Sequence, residues 1–352
     1  MNSRVCGGVT NCSFFINNKN SQIITVYKTG GEFTSIVSAI ASITDNSTNK
    51  RYIIQVGPGT YIESAIYMKP YVTIQGSGIS TIIQSDSPNH HVIYATEDSE
   101  IDSCIITGAG TGYAAIYYST ASGTNTTFFN VNDITFGEND ILCWADGSGG
   151  SHVNIIIFNC VFGTYQFNTG FKATNNDTLV DAHININASA SNQFISPFPD
   201  YVLYTSGQNC RIYTNSLIIE SYIIEANTVG GYVDNGARLH LTGSSISGFA
   251  TGISVPNNGV SPNLVLNSVD FKNNTTDINI QHPTVSGSLN VSADKNKIFI
   301  NNSPPISIFV IDDVNTGTIM TGPMYYSPDE YANITDISDL ITKDPTMGIN
   351  VG

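Results

Sequence analysis

One phrase recurs along most of this chain, and it constrains the fold more than any other feature. A small or polar residue is followed by an apolar one, often with a second close by; Gly or Asp then precedes an apolar-x-apolar pair. The phrase occurs at 103–118, 132–144, 159–171, 244–255 and 267–280. With Cys104, Asp133, Cys160, Ser245 and Ser268 taken as equivalent, neighbouring copies lie roughly 23–29 residues apart, within the range of solenoid repeats. A sandwich has no such fixed repeat. The period is too long for a hexapeptide helix, and the leucine-rich and propeller signatures are missing. It suits an all-β right-handed parallel β-helix with three short strands per turn.

The local sequence agrees. Apolar, β-branched segments such as 51–56, 71–76, 80–85, 153–159, 238–243 and 263–269 are separated by turn residues. Stacked as parallel strands, residues 51–302 make about ten turns and a rod about 50 Å long. Inward Ile, Val and Phe fill the coil, and Asn and Ser fit its bends. Residues 33–43 carry Phe33, Ile36, Val37, Ile40 and Ile43 at helical spacing, which predicts a capping helix over the open end. The expected division is therefore an N-terminal arm and helix (1–50), the β-helix (51–302), and a C-terminal capping or assembly segment (303–352) marked by Pro304-Pro305.

Composition narrows the functions. The 352 residues carry 13 Lys+Arg against 28 Asp+Glu, a net charge of −15, which disfavours nucleic acid as a partner. No apolar stretch approaches the ~18 residues of a membrane helix, and no signal-peptide core is seen at the N-terminus. The expected site of synthesis is the cytoplasm, with no membrane insertion. Cys6, Cys12, Cys104, Cys143, Cys160 and Cys210 are scattered without CxxC, which predicts buried free thiols and no zinc. No cofactor is expected. His90-His91 is read as a surface turn, and the other histidines show no ligand spacing.

Residues 56–84, with Gly59-Thr60-Tyr61, Glu63, Gly76, Gly78, Thr81 and Ile82, resemble the opening of pectin-lyase-like β-helices. The match is nearest to the pectin methylesterases. That resemblance implies the fold and allows the family's catalytic motifs to be tested. GENDIL (137–142) loosely echoes the stretch that holds the oxyanion-binding Gln and the general acid, placing Asn139 and Asp140 there. GTYQFNTG (163–170) places Gln166 at the nucleophilic Asp, and a carboxamide cannot serve as that nucleophile. The Leu-Gly-Arg-Pro-Trp motif is absent; the single Trp, Trp144, lies elsewhere. Polygalacturonase motifs are also missing. Arg is scarce for a pectate lyase, whose calcium set would fall to Asp133, Asp140 and Asp146. In style, the Ile- and Asn-rich usage resembles β-helical virion proteins of large DNA viruses and phages.

Two function classes follow. The first is a non-enzymatic structural or attachment rod, a virion or surface component that assembles with other subunits or itself, a trimer included, and contacts glycans. Its contact candidates are Tyr113, Tyr117, Tyr118, Trp144, Tyr213 and Tyr232, since aromatic rings stack on sugars or form interface cores. The second is a carbohydrate-active esterase, lyase or hydrolase on polysaccharide, with Glu138, Asn139, Asp140 and Gln166 as its catalytic candidates and Glu138–Asp140 or Glu220–Glu225 as its acid pairs.

Overall fold

The computed structural model describes residues 21–119, 127–150, 152–162, 167–175, 181–187, 200–221, 224, 226–294 and 297–300, plus the backbone of three short C-terminal strands. Cys6, Cys12, Gln166, Tyr222, Glu225 and most of 303–352 lie outside the described residues.

The chain forms an all-β parallel β-helix of about nine turns with very little helix. Ten strands stack in one sheet, from Ile66–Tyr67 through Ala114–Tyr118, Ile141–Asp146 and Thr169–Thr174 to Ile298–Ile300. A larger sheet wraps the rest of the coil, and every pairing along the coil is parallel. One inward ladder shows what holds the turns together. Ile93, Ile116, Cys143, Phe171 and Leu203 sit in register on successive strands, each with no measurable exposure. Burying each such side chain stabilises the coil by roughly 1.5–3 kcal/mol.

The bends explain the repeated phrase. Ser103, Asp133, Asn159, Ser216 and Ser268 all adopt left-handed backbone, which Ser, Asn and Asp tolerate better than bulkier residues. The residue after each bend points inward: Cys104, Cys160 and Val269 are buried there. Register pairs Cys104 with Ile134, and Ser245 with Asp270. The repeat is real, but the equivalences with Asp133 and Ser268 read from the sequence are shifted by one and two residues. Gly207 and Gly248 are required at two other bends. Both have positive φ, and a Cβ would lie 2.0 Å from the Asn175 carbonyl oxygen and 1.9 Å from that of Ser221.

The helix forms as Ile36–Ser42 and lies against the first strands, burying Ile36, Ala39 and Ile40. Its N-terminal turn is held from the coil. The Glu63 carboxylate accepts hydrogen bonds from Ile36 N (2.7 Å), Val37 N (3.3 Å) and Ser35 Oγ (2.8 Å). Glu63 of the GTYIE segment thus serves as a buried helix cap. A strand ahead of the helix, Gln22–Val26, already pairs in parallel with Tyr52–Val56, so the coil begins inside the segment read as an arm. At the far end, Ser307–Asp312 continues the parallel stack, while Thr318–Met320 and Ile349–Val351 pair antiparallel. Cys104, Cys143, Cys160 and Cys210 are buried free thiols; burial pushes Cys160 up to about 12.

Candidate functional site

Strand alternation leaves one side chain per turn pointing out at the centre of the ten-stranded sheet. In register, that column is Tyr67, Tyr94, Tyr117, Trp144, Lys172, Tyr204 and Tyr232. It then fades into Ser254 and Asn279. Six aromatic rings and one lysine thus share a face on seven consecutive strands.

The rings touch. Tyr67 and Tyr94 stack with centroids 4.5 Å apart, and Tyr204 and Tyr232 stack at 5.0 Å. Tyr117 meets Trp144 edge-on at 5.2 Å. Between the two aromatic groups, Lys172 Nζ lies 3.8 Å from the centre of the Trp144 ring. No carboxylate of the described residues pairs with it, so the cation is held by the ring. Burial lowers the Lys172 pKa, opposed by Asp146 and Asp140.

Polar ends are fixed from the neighbouring outward column. The Tyr117 hydroxyl donates to Asp146 Oδ2 (2.7 Å), Trp144 Nε1 donates to Thr174 Oγ1 (2.7 Å), and the Tyr232 hydroxyl donates to Asp234 Oδ2 (2.9 Å). Burial first, then the adjacent aspartate, raises the pKa of both tyrosines. Asp234 Oδ1 is buried with no hydrogen-bond partner.

His91 wedges into the cluster, contrary to its reading as part of a surface turn. It is 7% exposed and stacks on Tyr117 at 4.0 Å, with Tyr94, Tyr113 and Trp144 around it. Its Nδ1 accepts from Ala114 N (2.8 Å), which leaves the proton on Nε2. Burial, with smaller effects from His90 and Lys172, pushes its pKa down to about 4. His90 instead pairs with Asp86 at 2.9 Å.

The sequence candidates divide accordingly. Tyr117, Trp144 and Tyr232 share the outward column, and Tyr113 packs beside it against His91. Tyr118 is wholly buried in the core, because adjacent strand residues face opposite sides. Tyr213 lies on the other sheet, 5.4 Å from His240. Asn139 is buried in a bend, where its amide bonds Ala109 N, Ile106 O and Gly137 O and has no free group to offer an oxyanion. Asp140 ties adjacent turns together, accepting from Gly112 N (2.7 Å) and Asn168 Nδ2. Glu138 is exposed. Among the described residues no three of His, Cys, Asp and Glu converge as a metal site. The sequence reading missed Tyr67, Tyr94, Lys172 and Asp234, and it gave Asp146 and His91 other roles. The signal of Tyr67, Tyr94 and Lys172 is an aromatic or cationic residue recurring once per turn.

Among solved structures, the chain is similar to a pectin methylesterase from carrot, at 15% identity and a TM-score of 0.43, covering 70% of this chain and 82% of that one. It is also similar to the A-modules of two Azotobacter vinelandii mannuronan C-5 epimerases. These are AlgE6 (12% identity, TM-score 0.40, covering 78% and 81%) and AlgE4 (11%, 0.33, covering 78% and 82%). No family model matches the chain, and no curated protein matches it.

Proposed function

We propose that this protein is a non-enzymatic attachment rod that binds a polysaccharide along the outward column of its ten-stranded sheet. The observation that carries the reading is the column of six aromatic rings around one lysine, in register on seven strands. Strands lie one above another every ~4.8 Å, so a chain of sugars lying along the rod meets a ring at each turn of the column but that of Lys172. Sugar C–H faces stack on the rings, while Asp146, Thr174 and Asp234 offer hydrogen-bonding groups beside them. A low-charge, tightly stacked coil gives such a face the stiffness an attachment element needs. The stylistic resemblance to virion β-helices supports a rod carried on a particle or cell surface and assembled with further copies.

Glycan-array binding followed by titration tests this. Retention of a polysaccharide by the whole protein, weakened by Trp144→Ala and Tyr204→Ala, is expected. Absence of any glycan ligand sinks the reading.

One observation favours the second class. Lys172, Tyr117, Asp146 and His91 gather around Trp144, and groups of that kind move protons in carbohydrate-active enzymes. Release of methanol or oligosaccharide, lost in Lys172→Met, would replace the attachment reading with that one.

A further inference from the structure

A second outward column runs along the larger sheet, where register places Asn154, His183, Arg211 and Arg238 on four successive strands. The chain has only four arginines, Arg4, Arg51, Arg211 and Arg238, so half of them stand opposite one another here. Like charges facing each other across neighbouring strands destabilise a sheet. Among the described residues no carboxylate lies within ion-pair reach of either guanidinium, although the chain carries 28 acidic residues.

Asp181, which acts on His183, is engaged elsewhere. Asp181 Oδ2 lies 3.2 Å from His152 Nδ1, and its Oδ1 is 3.9 Å from His183 Nε2, beyond hydrogen-bond reach. His183 Nε2 and Arg211 Nε are both buried without a hydrogen-bond partner. Each such orphan is costly unless something outside the chain satisfies it. Arg238 is exposed and Arg211 half-buried, so the column is open to solvent. Tyr213 and His240 flank it in the next outward column.

We propose that His183, Arg211 and Arg238 form a binding site for a tetrahedral oxyanion, a phosphate or sulfate group. A carboxylate presents two oxygens in one plane and is matched by a single guanidinium fork. A tetrahedral oxyanion directs oxygens to several sides, so two guanidinia one strand spacing apart and an imidazole on the next strand can all donate to it. The site is on a different sheet from the aromatic column and stands or falls independently of it.

Thermal unfolding of the full chain, with millimolar inorganic phosphate, sulfate, acetate or chloride at matched ionic strength, tests the proposal. Phosphate or sulfate should raise the midpoint by about 2 °C or more, with acetate and chloride inert. Arg238→Gln, at an exposed position that threatens folding least, and Arg211→Gln should each abolish the rise. Imidazole NMR gives a second readout: phosphate should move the His183 titration upward, because a bound anion favours the protonated ring. A response to phosphate alone assigns a phosphoryl group. A response to both, with retention of a sulfated oligosaccharide, assigns a sulfate ester. Equal responses to all four anions, or a phosphate and sulfate response that survives in both arginine variants, overturn the site.

Discussion

The two outward columns are built on the same coil and differ in how their polar atoms are treated. On the ten-stranded sheet the aromatic column is almost self-sufficient: Tyr117, Trp144 and Tyr232 each donate to a neighbour within the protein, and Lys172 rests on a ring. On the larger sheet, among the described residues, His183 Nε2 and Arg211 Nε are buried without a hydrogen-bond partner, and two arginines face each other with no carboxylate in ion-pair reach. The first face is preorganised to offer flat apolar area. The second carries charge that no described residue compensates. In a solenoid the core dictates only the inward positions, so each outward column is free to carry its own chemistry.

The largest effect separates inside from outside on a single strand. Tyr118 is wholly buried, while its neighbour Tyr117 faces outward. Tyr118→Ala should cost roughly 3–5 kcal/mol in urea unfolding, as large-to-small core changes do. Tyr117→Ala should cost much less and act on glycan binding instead. Equal losses would show that the two faces of this strand are not distinct.

Next comes the scaffold that both columns share. Glu63→Ala removes a buried carboxylate accepting three hydrogen bonds at the helix and should cost about 1.5–3 kcal/mol. Because it sits at the end of the coil, the remaining folded protein should keep both its glycan affinity and its phosphate response. Selective loss of one would mean that the helix supports that face directly.

Smaller, and selective, are the changes within the columns. Trp144→Ala should weaken glycan binding about tenfold, near 1.4 kcal/mol, by removing the central ring and the seat of Lys172. The phosphate response should be unchanged. Arg211→Gln should do the reverse. Calorimetric titration of both variants with both ligands checks the crossing, and a variant that weakens both would merge the two sites into one.

The fold was legible because burial repeats with the turn: inward Ile, Val and Phe return with each phrase. The register was less so. Ser103 and Asp133 occupy equivalent left-handed bends, so matching Cys104 to Asp133 is one residue out, and at Ser268 the bend adds a residue that the next strand does not match. The aromatic column was half legible. Tyr117, Trp144 and Tyr232 stood out as aromatics, but parity was needed to reject Tyr118, and Lys172 has no aromatic signature. The basic column was missed because His183, Arg211 and Arg238 are each one full turn apart in sequence, which looks like scatter until the turns are stacked.

The effect of pH sets one imidazole of each column against the other. His91 and His183 are both pushed down to about 4 by burial, against a usual value of 6.5. His91 faces His90, Lys172 and Asp146; His183 faces Arg211, Asp181, His152 and Arg238. Above pH 6.5 both rings are neutral in the folded and unfolded chain, and their contribution to stability is fully present. Between 6.5 and 4 the unfolded chain binds protons that the folded chain refuses, so stability falls as the pH drops. Urea midpoints at pH 7.5 and 5 should therefore differ, and His91→Gln, which keeps an acceptor for Ala114 N, should reduce the difference. Phosphate added at pH 5 should recover part of the loss in the wild type and in His91→Gln, but none in Arg238→Gln. It acts through His183, which stands in register with Arg211 and Arg238, whereas His91 lies on the other sheet. Recovery that requires His91 would place the anion on the aromatic face and remove the contrast between the two columns.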